Sequence, residues 1–207
     1  MGAEVGARSG WFLRCSSFEM TDEVLISPRA TARLVVTMPP APSRLADALA
    51  ADIASDYVTL TPTTDAFRHL ALLARQRFTV MIPYMDRIGA DWATELFETT
   101  QAIERILVIR DASQISGCGE AGRRLERATT RIIDYGGAGL TQEAFHAKIV
   151  LADGVAAYVG SANLLRRSKL ANLECGILVE GPAVHAVKIL IDAVVNMAAG
   201  ARAVPDI

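Results

Sequence analysis

The segment EAFHAKIVLADGVAAYVGSANL (Glu143–Leu164) decides the fold, because it predicts two strands joined by a tight turn. Two apolar, strand-like runs flank Asp153 and Gly154, and an Asp-Gly pair between such runs is a strong signal for a two-residue hairpin. This turn predicts that His146 lies directly opposite Ser161.

Four polar side chains share one face of this predicted hairpin. Alternation along a strand puts His146 and Lys148 on the same face, and the predicted pairing adds Ser161 and Asn163 to it. Lysine supplies a positive charge for phosphate, while serine and asparagine can donate hydrogen bonds to phosphate oxygens. Histidine can attack phosphorus or move a proton near neutral pH. The face therefore suits anion chemistry.

Asp153 and Gly160 are assigned structural roles. Asp153 is seven residues from His146, which is roughly 20 Å along an extended strand, so we assign it to the turn. Gly160, predicted to lie opposite Ala147, leaves room for a close approach to the backbone.

The rest of the chain predicts an α/β fold in three parts. Residues 1–22 have no structural pattern, and we expect them to be disordered. Residues 23–76 contain a Pro-rich break and two helical patterns, at 43–56 and 64–76, which predict a small, mostly helical N-terminal part. From residue 77 onward, strand and helix patterns alternate before the hairpin, so 77–207 is predicted to form one domain, to which the resemblance given below assigns catalysis. Its sheet is expected to be mixed but mainly parallel, with flanking helices.

Composition excludes several classes of protein. The 207 residues are 51% hydrophobic with a formal charge of -2, so nothing drives the whole chain toward nucleic acid or acidic membranes. The three cysteines are widely spaced, which argues against a disulfide scaffold or a zinc site. The N-terminus has no apolar signal-peptide core, and a cytoplasmic protein without stable membrane association is expected.

The polar pattern resembles the HKD motif of the phospholipase D superfamily. The resemblance continues with an Asn-x-Glu, and from residue 78 onward the order of strands and helices is compatible with that family. The matching residues are His146, Lys148, Asp153, Gly160, Ser161, Asn163, Asn172 and Glu174.

The resemblance implies a phospholipase D-like fold and a two-step, metal-free cleavage of phosphodiesters through a phosphohistidine, without a cofactor. It implies that Glu174 orients His146 by accepting a hydrogen bond from its ring. The catalytic residues are then His146, Lys148, Asn163 and Glu174. The phosphate-binding residues are Lys148, Ser161, Asn163 and Arg166. Asp153, Gly160 and Asn172 are the structural members of the motif.

One motif per chain implies a homodimer. In-line displacement needs a nucleophile and an acid on opposite sides of phosphorus, and the resemblance assigns a histidine to each role. His69 and His185 lie on predicted helices without a lysine two residues on, and we interpret both as surface residues. The second His146 is therefore expected from another copy of the chain, across a two-fold axis.

Three functions remain open at this point. The leading hypothesis is a nuclease, because small single-motif relatives often are nucleases and the cationic stretch Arg166–Lys169 follows the motif directly. The layout is also similar to the phospholipase D-like component of DISARM-type anti-phage systems, which would add protein partners in a defence complex. The alternatives are a phospholipase or phosphatidyl transferase, and a non-catalytic module that binds nucleic acid or proteins.

Overall fold

The computed structural model of the protein describes residues 31–45, 47–48, 61–136 and 144–200, with side chains described as far as residue 197. The strands are β1 (Thr31–Thr37), β2 (Arg77–Ile82), β3 (Glu104–Ile109), β4 (Arg131–Asp134), β5 (Lys148–Ala152), β6 (Ala156–Gly160) and β7 (Glu174–Glu180). The helices with full bounds are α1 (Thr63–Leu73), α2 (Arg87–Thr99), α3 (Ser113–Gly117), α4 (Glu120–Ala128), α5 (Arg166–Leu170) and α6 (Val184–Gly200). The segment 1–22, predicted to be disordered, and most of the predicted helix 43–56 lie outside the described residues.

The strands form one mixed sheet in the order β1-β7-β6-β5-β2-β3-β4. β2, β3 and β4 are parallel, as the alternation of strands and helices predicts. The other four neighbouring pairs are antiparallel, so the prediction of a mainly parallel sheet is wrong. The tight turn accounts for the pair of β5 with β6, because strands joined by a short turn must pair in opposite directions. The hairpin then joins β2 through an antiparallel pair as well.

The hairpin turn is where the sequence predicts it, but it is one residue longer. Asp153 and Gly154 have φ of 52° and 79°, the left-handed conformation that an Asp-Gly turn requires. Val155 adds a third loop residue, with its N–H bonded to the carbonyl of the last β5 residue at 2.9 Å. Lys148 consequently pairs with Gly160. The predicted register was therefore wrong by one position, and a one-residue slip exchanges the faces of a strand.

The core has two layers, one on each face of the sheet. On one face, α1, α2 and α4 cover the sheet with buried side chains such as Phe67, Trp92 and Leu125. On the other face, α6 contributes Val184 and Ile191. The hairpin strands are buried on both faces at their centres, which holds the ends of β5 and β6 in fixed positions.

The N-terminal part joins this core. β1, which the sequence analysis did not predict, pairs with β7 along all seven of its residues and forms one edge of the sheet. Phe67 of α1 stacks on Trp92 at 5.1 Å between ring centroids and meets Tyr158 of β6 edge-on at 4.9 Å. The predicted domain boundary near residue 76 remains a prediction, but β1 and α1 belong to the same sheet and core as the hairpin.

Candidate active site

The candidate site lies along one row of strand ends, where β2 and β3 have their carboxyl ends. This row of strand ends is called an edge of the sheet below. β5 is antiparallel to β2, so it begins at this edge with Lys148. β6 ends here, and β7 begins here with Glu174. His146 stands just before β5, and Ser161 follows β6 directly. The predicted residues therefore meet at neighbouring strand ends rather than on one strand face.

His146 and Lys148 are in direct contact. The Nζ atom of Lys148 lies 2.9 Å from Nδ1 and 3.2 Å from Nε2 of His146, and it donates to the His146 carbonyl at 2.6 Å. The imidazole is exposed at the site, while Lys148 is only 4% exposed. A lysine amino group is thus held directly against the imidazole, the side chain that can act as a nucleophile.

Burial changes the titration of Lys148. Removal from solvent lowers the pKa of its ammonium, and the negative charge of Glu174 opposes that effect in part. A charged group is costly to bury unless it is paired, so the balance depends on the carboxylate beside it. The amino group of Lys148 is thus confined between His146 and Glu174, where its charged form can bind an anion.

Glu174 organises the start of β7. Its carboxylate accepts from Ser161 Oγ at 2.5 Å and from Asn172 Nδ2 at 3.3 Å. Ser161 Oγ also accepts from the N–H of Cys175 at 3.0 Å. The implied hydrogen bond between Glu174 and His146 is not formed among the described contacts. The Ser161 hydroxyl proton is directed at Glu174, so its predicted role as a phosphate ligand remains a prediction.

The buried ring of Tyr158 packs against the end of β6 and the loop that follows it. A Cβ added to Gly160 would lie 2.3 Å from its hydroxyl, and one added to Gly176 would lie 2.3 Å from its ring. The phenol accepts from the N–H of Ala162 at 3.3 Å. Desolvation raises the pKa of Tyr158 to about 12, so the phenol stays neutral. The space predicted at Gly160 exists, but it holds this buried ring.

The Gly-Ser-x-Asn loop is fixed to the start of α2. Leu164 forms an isolated bridge with Met85, and its carbonyl accepts from the N–H of Asp86 at 3.2 Å. The Asp86 carboxylate caps α2 at Gly89 and accepts from the N–H of Arg166 at 2.9 Å. A Cβ on Gly89 would lie 1.6 Å from the Leu164 carbonyl oxygen, so this contact requires glycine.

Asn163 is held in this loop with its amide incompletely bonded. Its Oδ1 atom is buried and has no hydrogen-bond partner in the part of the chain that the structure describes. Buried polar atoms are nearly always paired, so an unpaired one at a candidate site requires an explanation. The missing partner of Oδ1 is a hydrogen-bond donor, whereas a phosphate oxygen would accept from the Nδ2 group of the same amide. Arg166, one turn further on, is exposed at the start of α5.

Asp153 lies at the opposite edge of the sheet. Its carboxylate accepts from three consecutive backbone N–H groups, those of Arg75, Gln76 and Arg77, at 2.6 to 2.9 Å. It therefore fastens the hairpin turn to the connection between α1 and β2. Asp153 thus lies in the turn itself and also contacts a segment distant in sequence.

The other two histidines also lie at the far edge. His69 Nε2 is 3.0 Å from Glu180 Oε1, at the end of β7 that is remote from Glu174. His185 follows the same end of β7 and is exposed. All three histidines of the chain are described, so His146 has no second histidine beside it within one copy.

Two residues at the site were missed in the sequence analysis. Tyr84 follows β2, and its ring meets that of His146 edge-on at 6.0 Å between centroids. Arg110 follows β3 and donates from Nη1 to the Tyr84 hydroxyl at 3.0 Å. Ligands of open α/β sheets bind outside the carboxyl ends of parallel strands, so the positions of both residues near the carboxyl ends of predicted strands were the available signal.

The sequence of this chain matches one known protein family. The family model described as "Cardiolipin synthase, PLD-like domain" matches residues 69–193, more than half of the chain. The chain belongs to the phospholipase D superfamily. The match includes all the predicted site residues, from His146 to Glu174. No curated protein sequence matches the chain.

Solved structures of phospholipase D proteins are similar to this one. NucT from Helicobacter pylori has a TM-score of 0.50 at 13% identity, covering 82% of this chain and 98% of its own. Nuc from Salmonella typhimurium, a phospholipase D family member, has a TM-score of 0.48 at 11% identity over 82% and 94%. Phosphatidylserine synthase from Haemophilus influenzae has a TM-score of 0.48 at 12% identity over 83% of this chain and 39% of that one.

Membership in the superfamily gives the general chemistry, which is the cleavage or transfer of phosphodiesters. The NucT comparison supports the same fold at a low level of identity. Among the described residues, no helix has the length and apolar character needed to cross a membrane.

Proposed function

We propose that this protein is a metal-independent phosphodiesterase that hydrolyses nucleic acid through a phosphohistidine at His146. One observation carries the proposal: an exposed imidazole in contact with a buried lysine, at the sheet edge of a phospholipase D-like fold. The contact places a lysine charge beside an accessible imidazole, which suits nucleophilic attack on an anionic phosphodiester.

The proposed reaction has two steps. In the first, a nitrogen of His146 forms a bond to phosphorus while the bond to the leaving oxygen breaks, and a second histidine protonates that oxygen. In the second, that histidine takes a proton from water, which attacks phosphorus and releases His146. Lys148 and Asn163 stabilise the phosphoryl oxygens, and Arg166 contributes charge at the rim. Glu174 fixes the loop that carries Ser161, and its role as an orienting group for His146 remains part of the proposal.

A homodimer supplies the second histidine in this proposal. His69 and His185 lie at the far edge of the sheet, so neither can reach phosphorus bound at His146. A two-fold axis beside His146 brings in the same residue from another copy. An isologous contact of this kind is the commonest form of assembly in soluble proteins.

Nucleic acid is favoured as the substrate by the cations around the site. Arg110, Arg166 and Arg167 are exposed and form no ion pair with the described residues. A polyanion can contact several such side chains at once, whereas one phosphodiester of a lipid uses fewer. Action in the cytoplasm within a DISARM-type anti-phage system, with protein partners, is a narrower proposal based on the sequence resemblance.

The decisive assay offers four substrate classes to the purified protein in the presence of EDTA. Labelled single-stranded DNA, double-stranded DNA, RNA and a fluorescent phospholipid are incubated with wild type, His146→Ala and His69→Ala. Cleavage of nucleic acid by wild type and His69→Ala, but not by His146→Ala, is the expected result. Cleavage of the phospholipid alone favours the phospholipase alternative. Binding of nucleic acid without cleavage favours the non-catalytic alternative, and activity that EDTA abolishes and magnesium restores contradicts the mechanism.

A further inference from the structure

Tyr84 and Arg110 form a connected unit next to His146. Arg110 donates to the Tyr84 hydroxyl at 3.0 Å, and its guanidinium carbon lies 5.9 Å from the centroid of the Tyr84 ring. The same ring meets the His146 imidazole at 6.0 Å. Tyr84 is 38% exposed, and Arg110 is exposed as well. The three side chains therefore run outward from the reacting nitrogen along the edge of the sheet.

The backbone around Tyr84 is firmly held. Gln114 of α3 donates from Nε2 to the carbonyl of Pro83 at 3.1 Å and accepts at Oε1 from the N–H of Met85 at 2.9 Å. One side chain thus clamps the residues on both sides of Tyr84. An exposed aromatic ring on a clamped backbone loses little conformational freedom when a ligand stacks on it.

The backbone of Arg110 is also held in place, while its guanidinium contacts Tyr84 without an ion pair. Its carbonyl accepts from the N–H of Gly136 at 2.9 Å. Its guanidinium forms no ion pair among the described residues. The adjacent carboxylate of Asp111 accepts from the backbone N–H of Ser113 at 2.8 Å, and its hydrogen bonds with Ser113 lower its pKa more than the nearby charge of Arg110 does. Most of the donors of Arg110 thus remain available to an anion.

We propose that Tyr84 and Arg110 form a second subsite, which binds the nucleoside and phosphate next to the scissile phosphate of a single-stranded nucleic acid. This inference rests on the proposed function and specifies the substrate. With the scissile phosphate at His146, the next nucleoside lies against Tyr84 and the next phosphate reaches Arg110. An aromatic ring can stack on any base, and arginine binds phosphate without reading sequence, so the subsite selects for a strand rather than for a base.

The proposal predicts distinct effects for the two residues on binding. Arg110→Gln removes one phosphate contact, so the slope of log affinity against log salt concentration should decrease by about 0.7 for a single strand. Tyr84→Ala removes a stacking partner and should weaken binding by about 5- to 100-fold. Tyr84→Phe keeps the ring and should retain most of the affinity.

The test measures the anisotropy of a fluorescein-labelled oligothymidylate with the full chain, in a His146→Ala background that keeps the probe intact. Arg131→Gln is the matched control, because this exposed arginine lies at the start of β4, on the opposite edge of the sheet. An unchanged salt slope in Arg110→Gln, or equal affinities of Tyr84→Ala and Tyr84→Phe, would overturn the subsite. Absence of any binding would overturn it too.

Failure of the subsite and failure of the proposed function can be told apart. Cleavage of oligothymidylate by the chain with His146 intact tests the function without reference to Tyr84. If that chain cleaves the strand while Arg110→Gln behaves like Arg131→Gln, only the subsite is wrong. If the strand binds through Arg110 and is never cleaved, the subsite stands and the phosphodiesterase proposal fails.

Discussion

At the scale of single residues, the proposed cleavage of phosphodiesters depends on Lys148. It is almost fully buried, yet its Nζ atom contacts both the ring and the carbonyl of His146. If this ammonium stabilises the phosphoryl charge, Lys148→Ala should lower kcat/KM by about 100-fold or more, since a single stabilising donor is worth that much. Steady-state cleavage measures the effect, with Lys188→Ala on α6 as the control, because Lys188 lies near Gly154 at the opposite end of the strands. A loss of less than tenfold contradicts the role of Lys148.

Burial of Lys148 also predicts a pH dependence. Its pKa is lowered by desolvation, so the ammonium loses its proton below the ordinary lysine range near 10.4. Activity that needs the charged form should therefore fall as pH rises toward that range. Lys148→Arg keeps its charge throughout and should lack this alkaline limb, even if its overall rate is lower. An alkaline limb that is identical in both proteins would assign the titration to another group.

Asp153 is a residue whose structural role the sequence revealed only in part. The Asp-Gly signal located the turn. The Asp153 carboxylate, however, accepts hydrogen bonds from three backbone N–H groups that lie more than 75 positions away in sequence. Asp153→Asn keeps the turn and replaces one acceptor oxygen by a donor. We expect a stability loss of about 1–3 kcal/mol with kcat unchanged, measured by urea unfolding against the exposed control Glu98→Gln. A large fall in kcat without a stability change would contradict the structural role.

At the scale of elements, the hairpin and the motif were predictable because their signals are local. The Asp-Gly pair, the alternation of the flanking strands and the polar residues at their ends all lie within one short segment. The extra loop residue Val155 was not predictable from that segment, because two- and three-residue turns share the same Asp-Gly signal. The contacts of Glu174 with Ser161 depend on how β6 and β7 pair, which no local pattern contains.

The contact between α2 and the loop after β6 gives the element-scale prediction. Gly89→Ala places a methyl group where the Leu164 carbonyl oxygen lies, and backbone cannot move aside as a flexible side chain can. We expect a stability loss of about 1–3 kcal/mol or more, together with lower activity because Asn163 shifts with the loop. Gly117→Ala, which meets no atom within 4 Å, is the matched control. Equal unfolding midpoints for the two variants would contradict the described contact.

At the scale of the whole molecule, the sequence predicted the fold family but not the sheet. Alternating strands and helices correctly indicated the parallel strands β2, β3 and β4. The antiparallel half arises where β5 joins β2 and where β1 closes the edge beside β7, and both are pairings between segments distant in sequence. Tyr84 and Arg110 were missed for the same reason, since only the assembled sheet brings their strand ends to His146.

A site shared by two chains is the central claim at this scale, because one chain has a single histidine at the candidate site. A mixed dimer of His146→Ala and wild-type chains, carrying two different tags and purified through both, tests it most directly. In such a dimer every site lacks either the nucleophile or the acid, a loss that typically costs several orders of magnitude. We predict almost no phosphodiester cleavage by this species, while a mixed dimer of His69→Ala and wild type keeps the full rate. A His146→Ala mixed dimer that retains about half of the wild-type rate would mean that each chain works alone, and it would contradict the shared-site mechanism.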